Sequence, residues 1–312
     1  MDTTLLIWPP SSPTTYETVS RARPALDGPE EEGQQPQQQQ NQQQQQQQQQ
    51  LKQPPLRIAI LLNSFQSRLL PAIRASYERT IGAVAPPGST QLAFYEPANN
   101  RGQFPDPARF DLIVLGGSNV DPRKSHSWIL EVHDFLRRVR RDDPAKKILG
   151  ICWGHQTIAR VFGGSIVDAK HPELGVATVS LTEKGRQFFP AAAAEGSFRL
   201  QQHHRREVAT PAPGFEHLAR GNQCLLSADG AVLTFQGHPE KDAETARLRI
   251  HDALRWFGAD ALDEKAWARF EELIHMEHDG SMVWRRILEW ARESPKAVDD
   301  GEEGTIDKAS RI

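Results

Sequence analysis

The chain has 312 residues, 38% hydrophobic and 25% charged, which is ample for one folded domain of about 200–250 residues. Its net charge of −3 gives no general attraction to nucleic acid or to an anionic membrane, and no apolar stretch approaches the ~20 residues of a membrane span. Its two cysteines, far apart, make neither a disulfide framework nor a four-ligand zinc site. Together with an N-terminal "LLIW" too short for a signal-peptide core, they point to a reducing, cytoplasmic compartment.

Residues 1–55 contain "PEEEGQQPQQQQNQQQQQQQQQLKQPP", polar low complexity broken by proline. Such a segment cannot bury enough apolar surface to offset its ordering entropy, so it is expected to be a disordered tether or association tract. From Leu56 onward, strands and helices alternate. "LRIAILLN" (56–63), "TQLAFYEP" (90–97), "FDLIVLGG" (110–117) and "KKILGIC" (146–152) read as buried strands. Between them, 71–84 begins with proline at a first helical turn, and Trp128, Ile129, Val132, Phe135, Leu136 and Val139 share one helical face. The basic run Arg137–Arg141 lies where cations favour a helix end. "HQTIARVFGG" continues as a helix stopped by Gly163 and Gly164.

Buried strands joined through amphipathic helices predict an α/β architecture with a parallel sheet. The later segments "SIVDA", "GVATVSLT", "SFRLQQHH", "CLLSAD" and "AVLTFQGH" predict an antiparallel edge or flap, the last returning to the central sheet. Helices at about 242–257, 263–277 and 281–292 complete the domain. The expected boundaries are 56–258 for the main domain, 259–292 for a C-terminal helical extension and 293–312 for a flexible acidic tail. In the extension, Asp279 or Ser281 stands near a helix start, and Met282, Val283, Ile287, Leu288 and Trp290 supply an apolar face. That face either packs on the domain or docks a partner.

The residues that carry chemistry sit at strand ends. Gly150-Ile-Cys152-Trp-Gly154 has the G-x-nucleophile-x-G form between a strand and a helix. The turn is too tight for flanking side chains, strains the nucleophile's backbone, and lifts its sulfur above the sheet. The helix N-terminus then favours thiolate over thiol, and the amide of Trp153 can face an oxyanion. A buried structural cysteine is the alternative. "FQGHPE" (235–240) follows a strand, placing His238 as acid/base and Glu240 as the carboxylate that orients it. "LGGS" (115–118) ends another strand, and the amide of Gly117 is the expected second oxyanion donor; a plain strand-to-loop turn is the alternative. "LGGS" lacks the Lys-Ser/Thr of a phosphate loop. The eleven histidines show no metal-ligand spacing, His275 and His278 read as surface residues, and Cys224 as core. No metal and no cofactor are expected.

"LGGS", "GICWGHQ" and "FQGHPE", in this order and spacing, resemble the class I glutamine amidotransferases over residues 56–255. The resemblance implies a flavodoxin-like three-layer sandwich with a mostly parallel central sheet and a Cys-His-Glu triad of Cys152, His238 and Glu240. It also implies substrate-contact positions at Gln156 and at His204 in "LQQHHRREV". The family pattern has Asp two residues after that histidine; here Arg206 stands in its place. "HMEHDGSMVWRRILEWARE" resembles a fungal stand-alone subgroup. The family releases ammonia from glutamine through a γ-glutamyl thioester and passes it to a synthase. No synthase domain fits in the remaining sequence, so the acceptor is expected in trans. A γ-glutamyl peptidase acting on glutathione-like substrates, as in the similar plant enzymes, is a second implied function, and a non-catalytic binding protein a third.

Overall fold

The computed structural model describes residues 54–249 and 264–294. The expectations for 1–53, 250–263 and 295–312 lie outside them. Five parallel strands form the centre: β1 (Leu56–Leu61), β2 (Thr90–Tyr95), β3 (Leu112–Leu115), β4 (Lys147–Ile151) and β9 (Val232–Phe235). Two short antiparallel strands, β7 (Phe215–His217) and β8 (Cys224–Ser227), extend one edge, giving the order β2-β1-β3-β4-β9-β8-β7. The antiparallel edge and the return of β9 to the centre match the expectation.

The central strands are mostly apolar because helices cover both faces; Arg57 and Gln91, near the starts of β1 and β2, are exposed. On one face lie Tyr77 and Ile81 of α1 (Leu70–Gly82) with Val283, Trp284, Ile287 and Trp290 of α7 (Gly280–Trp290). On the other lie Trp128, Ile129, Val132, Phe135, Leu136 and Val139 of α2 (Ser127–Asp142), with Trp153 and Ile158 of α3 (Trp153–Val161). The result is a three-layer α/β sandwich. The six α2 positions are those the helical period marks. α7 is a packed helix: Trp290 Nε1 donates to the carbonyl of Gly230 at 2.8 Å, and Asp279 and Arg199 exchange two hydrogen bonds.

The segments read as separate strands after Gly164 are longer and paired apart from the main sheet. β5 (Ser165–Ser180) and β6 (Ser197–Thr210) form a two-stranded antiparallel hairpin with a register irregularity between Asp168 and Glu173. "SIVDA" and "GVATVSLT" are thus two halves of one strand, joined across that irregularity. The short α4 (Glu183–Phe188) lies before β6, α5 (Ala243–Leu248) follows β9, and α6 (Glu264–Ile274) packs on the hairpin. Met282 and Leu288 are partly buried against the core; Trp284, which the sequence reading did not single out, is fully buried. Cys224 is core and His275 is exposed, as read from the sequence, whereas His278 is partly buried and accepts from the amide of Gly280. Among the described residues, no helix is long and apolar enough to cross a membrane, and no group of His, Cys, Asp and Glu side chains is disposed to hold a metal.

α3 approaches the sheet more closely than a side chain allows. A Cβ on Gly154 would lie 2.1 Å from the carbonyl oxygen of Leu115, and one on Gly150 would lie 2.6 Å from Ile158 Cδ1 and 2.9 Å from the backbone of Gly154. Gly154→Ala should therefore destabilise the fold by about 3 kcal/mol or more, because backbone must move. A urea midpoint equal to wild type would contradict this. Burial also holds two histidines neutral: His133 is lowered to about 4, and His155, bonded to Thr234 Oγ1 at 2.8 Å, to about 3. The unfolded chain takes up these protons below about 6.5 while the folded one does not. The stability they contribute is therefore complete above pH 6.5 and is lost as pH falls toward 4. The urea midpoint should drop between pH 7.5 and 4.5; a flat profile would refute the assignment.

Candidate active site

The parallel register decides where the site forms. Leu61 stands opposite Leu115, Leu115 opposite Gly150, and Ile151 opposite Phe235, so β1, β3, β4 and β9 end at one rim. The residues just beyond those ends are Asn63 and Ser64, Gly116 and Gly117, Cys152, and the run Gln236–Glu240.

Cys152 has φ 51° and ψ −100°, a conformation L-residues rarely adopt. It is held from both sides: its amide donates to the carbonyl of Phe235 at 2.8 Å, and its carbonyl accepts from the amide of Gln156 at 3.0 Å. Its sulfur lies 3.8 Å from the carbonyl oxygen of His203, and the amide of Trp153 acts on it as a donor. Burial raises the thiol to about 11; Lys241, Arg249 and the Trp153 amide oppose this, Glu240 reinforces it, and burial wins. The resting form is therefore the neutral thiol. The expectation of a thiolate counted the helix terminus but not the depth of the sulfur.

Gly117 fills the gap between the nucleophile candidate and the histidine. A Cβ there would lie 3.3 Å from His238 Cε1 and 4.0 Å from Cys152 Cβ. The loop is fixed by β1: the Gly116 amide donates to the carbonyl of Leu61, Asn63 Nδ2 donates to the carbonyl of Gly116 at 3.3 Å, and Ser64 Oγ reaches that of Gly117 at 3.5 Å. "LGGS" thus has a tertiary reason for its glycines, since a Cβ on Gly116 would meet the Tyr77 hydroxyl at 2.9 Å.

His238 Nδ1 and Glu240 Oε1 are 2.7 Å apart. The loop that carries them is sewn to β6, because the His238 amide donates to the carbonyl of Gln201 at 2.9 Å. Ser76 Oγ of α1 donates to the Glu240 carbonyl. Burial pushes the Glu240 carboxyl up, but His238 and Lys241 outweigh it and hold the carboxyl below its usual range. An ionised Glu240 places the ring proton on Nδ1 and leaves Nε2 an acceptor, a buried atom with no hydrogen-bond partner among the described residues. Burial, with the Lys241 charge adding, lowers His238 to about 4 despite Glu240, so the imidazole is neutral near pH 7.

The structure thus brings together Cys152, Gly117, the Trp153 amide, His238 and Glu240. It places the other two predicted residues elsewhere. Gln156 Nε2 donates to the carbonyl of Arg206 at 2.7 Å and to Gln236 Oε1 at 3.1 Å, and His204 Nε2 lies 3.1 Å from Glu173 Oε2. Neither side chain lines the cleft at Cys152; His203, the neighbouring residue on β6, does. Consecutive strand residues face opposite sides. Arg206, where the family pattern has Asp, joins Asp121, Arg123 and Asp168 in an ion cluster, with its Nε 3.0 Å from Asp121 Oδ2. The cluster ties the hairpin to the loop that follows Gly117.

Several lining residues lie outside every motif: Ser64, Ser76, Thr245, Lys241 and Arg249. Only Lys241 carried a sequence signal. It follows "HPE" directly, and a lysine adjoining a buried turn is unusual.

Comparison with known proteins agrees with this geometry. The family model described as Glutamine amidotransferase class-I matches residues 92–253. The glutamine amidotransferase-like protein chyE of Penicillium rubens is 36% identical over 245 residues, covering 76% of this chain and 98% of that protein. Gamma-glutamyl peptidase 2 of Arabidopsis thaliana is 33% identical over 153 residues, covering 46% of this chain and 60% of the peptidase. A crystal structure of a glutamine amidotransferase from Thermotoga maritima superposes with a TM-score of 0.53 at 17% identity, covering 76% of this chain and 99% of that one, and so shares the fold. On the family model and the near full-length fungal relative, this chain belongs to the class I glutamine amidotransferase family.

Proposed function

We propose that the chain hydrolyses the side-chain amide of glutamine through a γ-glutamyl thioester on Cys152 and delivers the ammonia to a separate biosynthetic enzyme. One observation carries the reading: a strained cysteine at a strand end, with Gly117 against it and the neutral imidazole of His238, bonded to the Glu240 carboxylate, across the same gap. Sγ attacks the amide carbon while His238 Nε2 takes the thiol proton, and the amides of Gly117 and Trp153 receive the oxyanion. The C–N bond then breaks as His238 returns the proton to the departing nitrogen, which leaves as ammonia. Water next attacks the thioester, giving a proton to His238. Collapse expels the thiolate, which recovers that proton, and glutamate leaves. Glu240 holds the imidazole in the required tautomer and stabilises the transient imidazolium.

A γ-glutamyl peptide is the second candidate donor, because Arg206 departs from the family's acidic position and a γ-glutamyl peptidase is among the relatives. The chemistry is the same; the leaving group is then a peptide amine.

A diazo-ketone analogue of glutamine should label Cys152 stoichiometrically and leave Cys152→Ala untouched, read by intact-mass spectrometry. An unlabelled but folded wild type would sink the glutamine reading. Ammonia release from glutamine, assayed beside cysteinylglycine release from glutathione, separates the two donors. In either assay Cys152→Ala and His238→Asn should lose activity by about 10³-fold or more. Glu240→Gln, which favours the wrong tautomer, should lose about 10²- to 10⁴-fold. The pH dependence follows from a neutral pair. With His238 near 4, the acid limb of kcat/KM should fall near pH 4 rather than 6.5, since the base is lost only on protonation. With Cys152 near 11, alkylation by iodoacetamide should rise about tenfold per pH unit from 7 to 10. A plateau by pH 7 would show a preformed thiolate instead.

A further inference from the structure

The cleft at Cys152 contains a cation that the mechanism above does not use. Lys241 is only 5% exposed and lines the cleft, and its ammonium makes no hydrogen bond or close ion pair among the described residues. Arg249, 7% exposed, lines the same cleft from the end of α5. Among the described residues the one carboxylate lining the cleft, Glu240, is committed through Oε1 to His238. Among the described residues, the ionic side chains lining the cleft are thus Lys241, Arg249 and Glu240, beside the hydroxyls of Ser64, Ser76 and Thr245. Glu240 acts on the Lys241 ammonium only through space, and a buried ammonium with no close ion pair destabilises a fold, so its place beside a nucleophile calls for a partner that arrives with the substrate.

We propose that Lys241, seconded by Arg249, is a carboxylate-recognition site, and that the acyl donor is an anion whose carboxylate lies against Lys241 while its amide carbon meets Cys152. The inference rests on the reading of Cys152 as an amide-cleaving nucleophile and names the feature by which that site selects its substrate. It also accounts for the charge state of the cleft. Burial, with Arg249 reinforcing it, lowers Lys241 to about 7 in spite of Glu240 and Cys152, and an entering carboxylate restores its full charge. Lys241 is a specificity residue here; it takes no proton from the reacting amide.

The test uses the full chain and glutarate, an acid with no cleavable amide. Cys152 is alkylated with iodoacetamide at increasing glutarate in wild type, Lys241→Met and Lys241→Arg. Glutarate should protect the wild type, protect Lys241→Met at least tenfold more weakly, and recover most of its effect in Lys241→Arg. Glutaramide, the neutral diamide, should protect all three poorly. Equal protection of wild type and Lys241→Met by glutarate overturns the proposal. Thermal unfolding guards against a folding artefact, because Lys241→Met removes an unpaired buried cation and should melt at or above wild type. A much lower melting temperature, with protection lost in both variants, would assign Lys241 to the fold and overturn the proposal. Protection is read whether or not amides are cleaved, so a chain that binds glutarate yet releases neither ammonia nor amine refutes the catalytic reading alone. Two substrate pairs then locate the anion: glutamine against its α-amide, and γ-glutamylglycine against γ-glutamylglycinamide. A tenfold rise in KM confined to the first pair puts it on the acyl half; one confined to the second puts it on the departing amine. No rise in either overturns the proposal.

Discussion

The contact on which the rest of the site depends is the one between α3 and the end of β3. Because Gly154 has no side chain, the first turn of α3 lies against the Leu115 carbonyl at a distance no Cβ would tolerate. That closeness forces the chain to reverse within a single residue after β4, and the residue that absorbs the reversal is Cys152, at positive φ. Two hydrogen bonds fix the strain in place, one to β9 and one to the helix it starts. The sulfur therefore stands above the sheet by construction, between the loop that follows β3 and the loop that follows β9. Gly117 and His238 reach it because their strands share the register of β4.

Burial then sets the electrical character of the site. A dry environment penalises isolated charge, so the thiol and the imidazole are both neutral at rest, and of the three triad side chains only Glu240 stays ionised, held by His238 and Lys241. Charge separation is deferred until a substrate supplies an oxyanion to stabilise and a leaving group to protonate. This arrangement limits indiscriminate thiol reactivity, which a resting thiolate would invite. The hairpin of β5 and β6 maintains the dryness: Gln201 carries the His238 loop, and the His203 carbonyl faces the sulfur.

Much of this was legible in the sequence, for identifiable reasons. Apolar runs of strand length marked the buried parallel strands, and the period of α2 marked its face, because both patterns are dictated by what each side chain touches. "GICWG", "LGGS" and "FQGHPE" announced the rim because tight turns and close backbone approaches demand glycine at fixed offsets. What was not legible depended on depth and on side. The sequence places His203 and His204 one residue apart, and only the hairpin's orientation decides that His203 lines the cleft while His204 turns to Glu173. The thiol's pKa depends on how much water the fold excludes, which no local pattern encodes. "KHPEL" within β5 read as a break because proline and charge interrupt the pattern, whereas the strand continues beyond it through a register irregularity. Lys241 went unremarked because its one signal, its place directly after "HPE", has no periodicity to support it.

The far end of the sheet has a consequence of its own. Arg292, just past α7, donates to the carbonyl oxygens of Pro54 and Ser89, at the edge where β1 and β2 begin. The first and last described stretches of the fold are thus clasped together on the side away from the cleft. Those two stretches, Pro54 at one and Arg292 at the other, are close enough to be joined by a short link, with new ends opened in a surface turn and Cys152 and its neighbours left in the same arrangement. Pro54 and Arg292 therefore meet at the floor of the sheet, across from the rim that carries Cys152, and the mouth of the cleft owes nothing to that clasp.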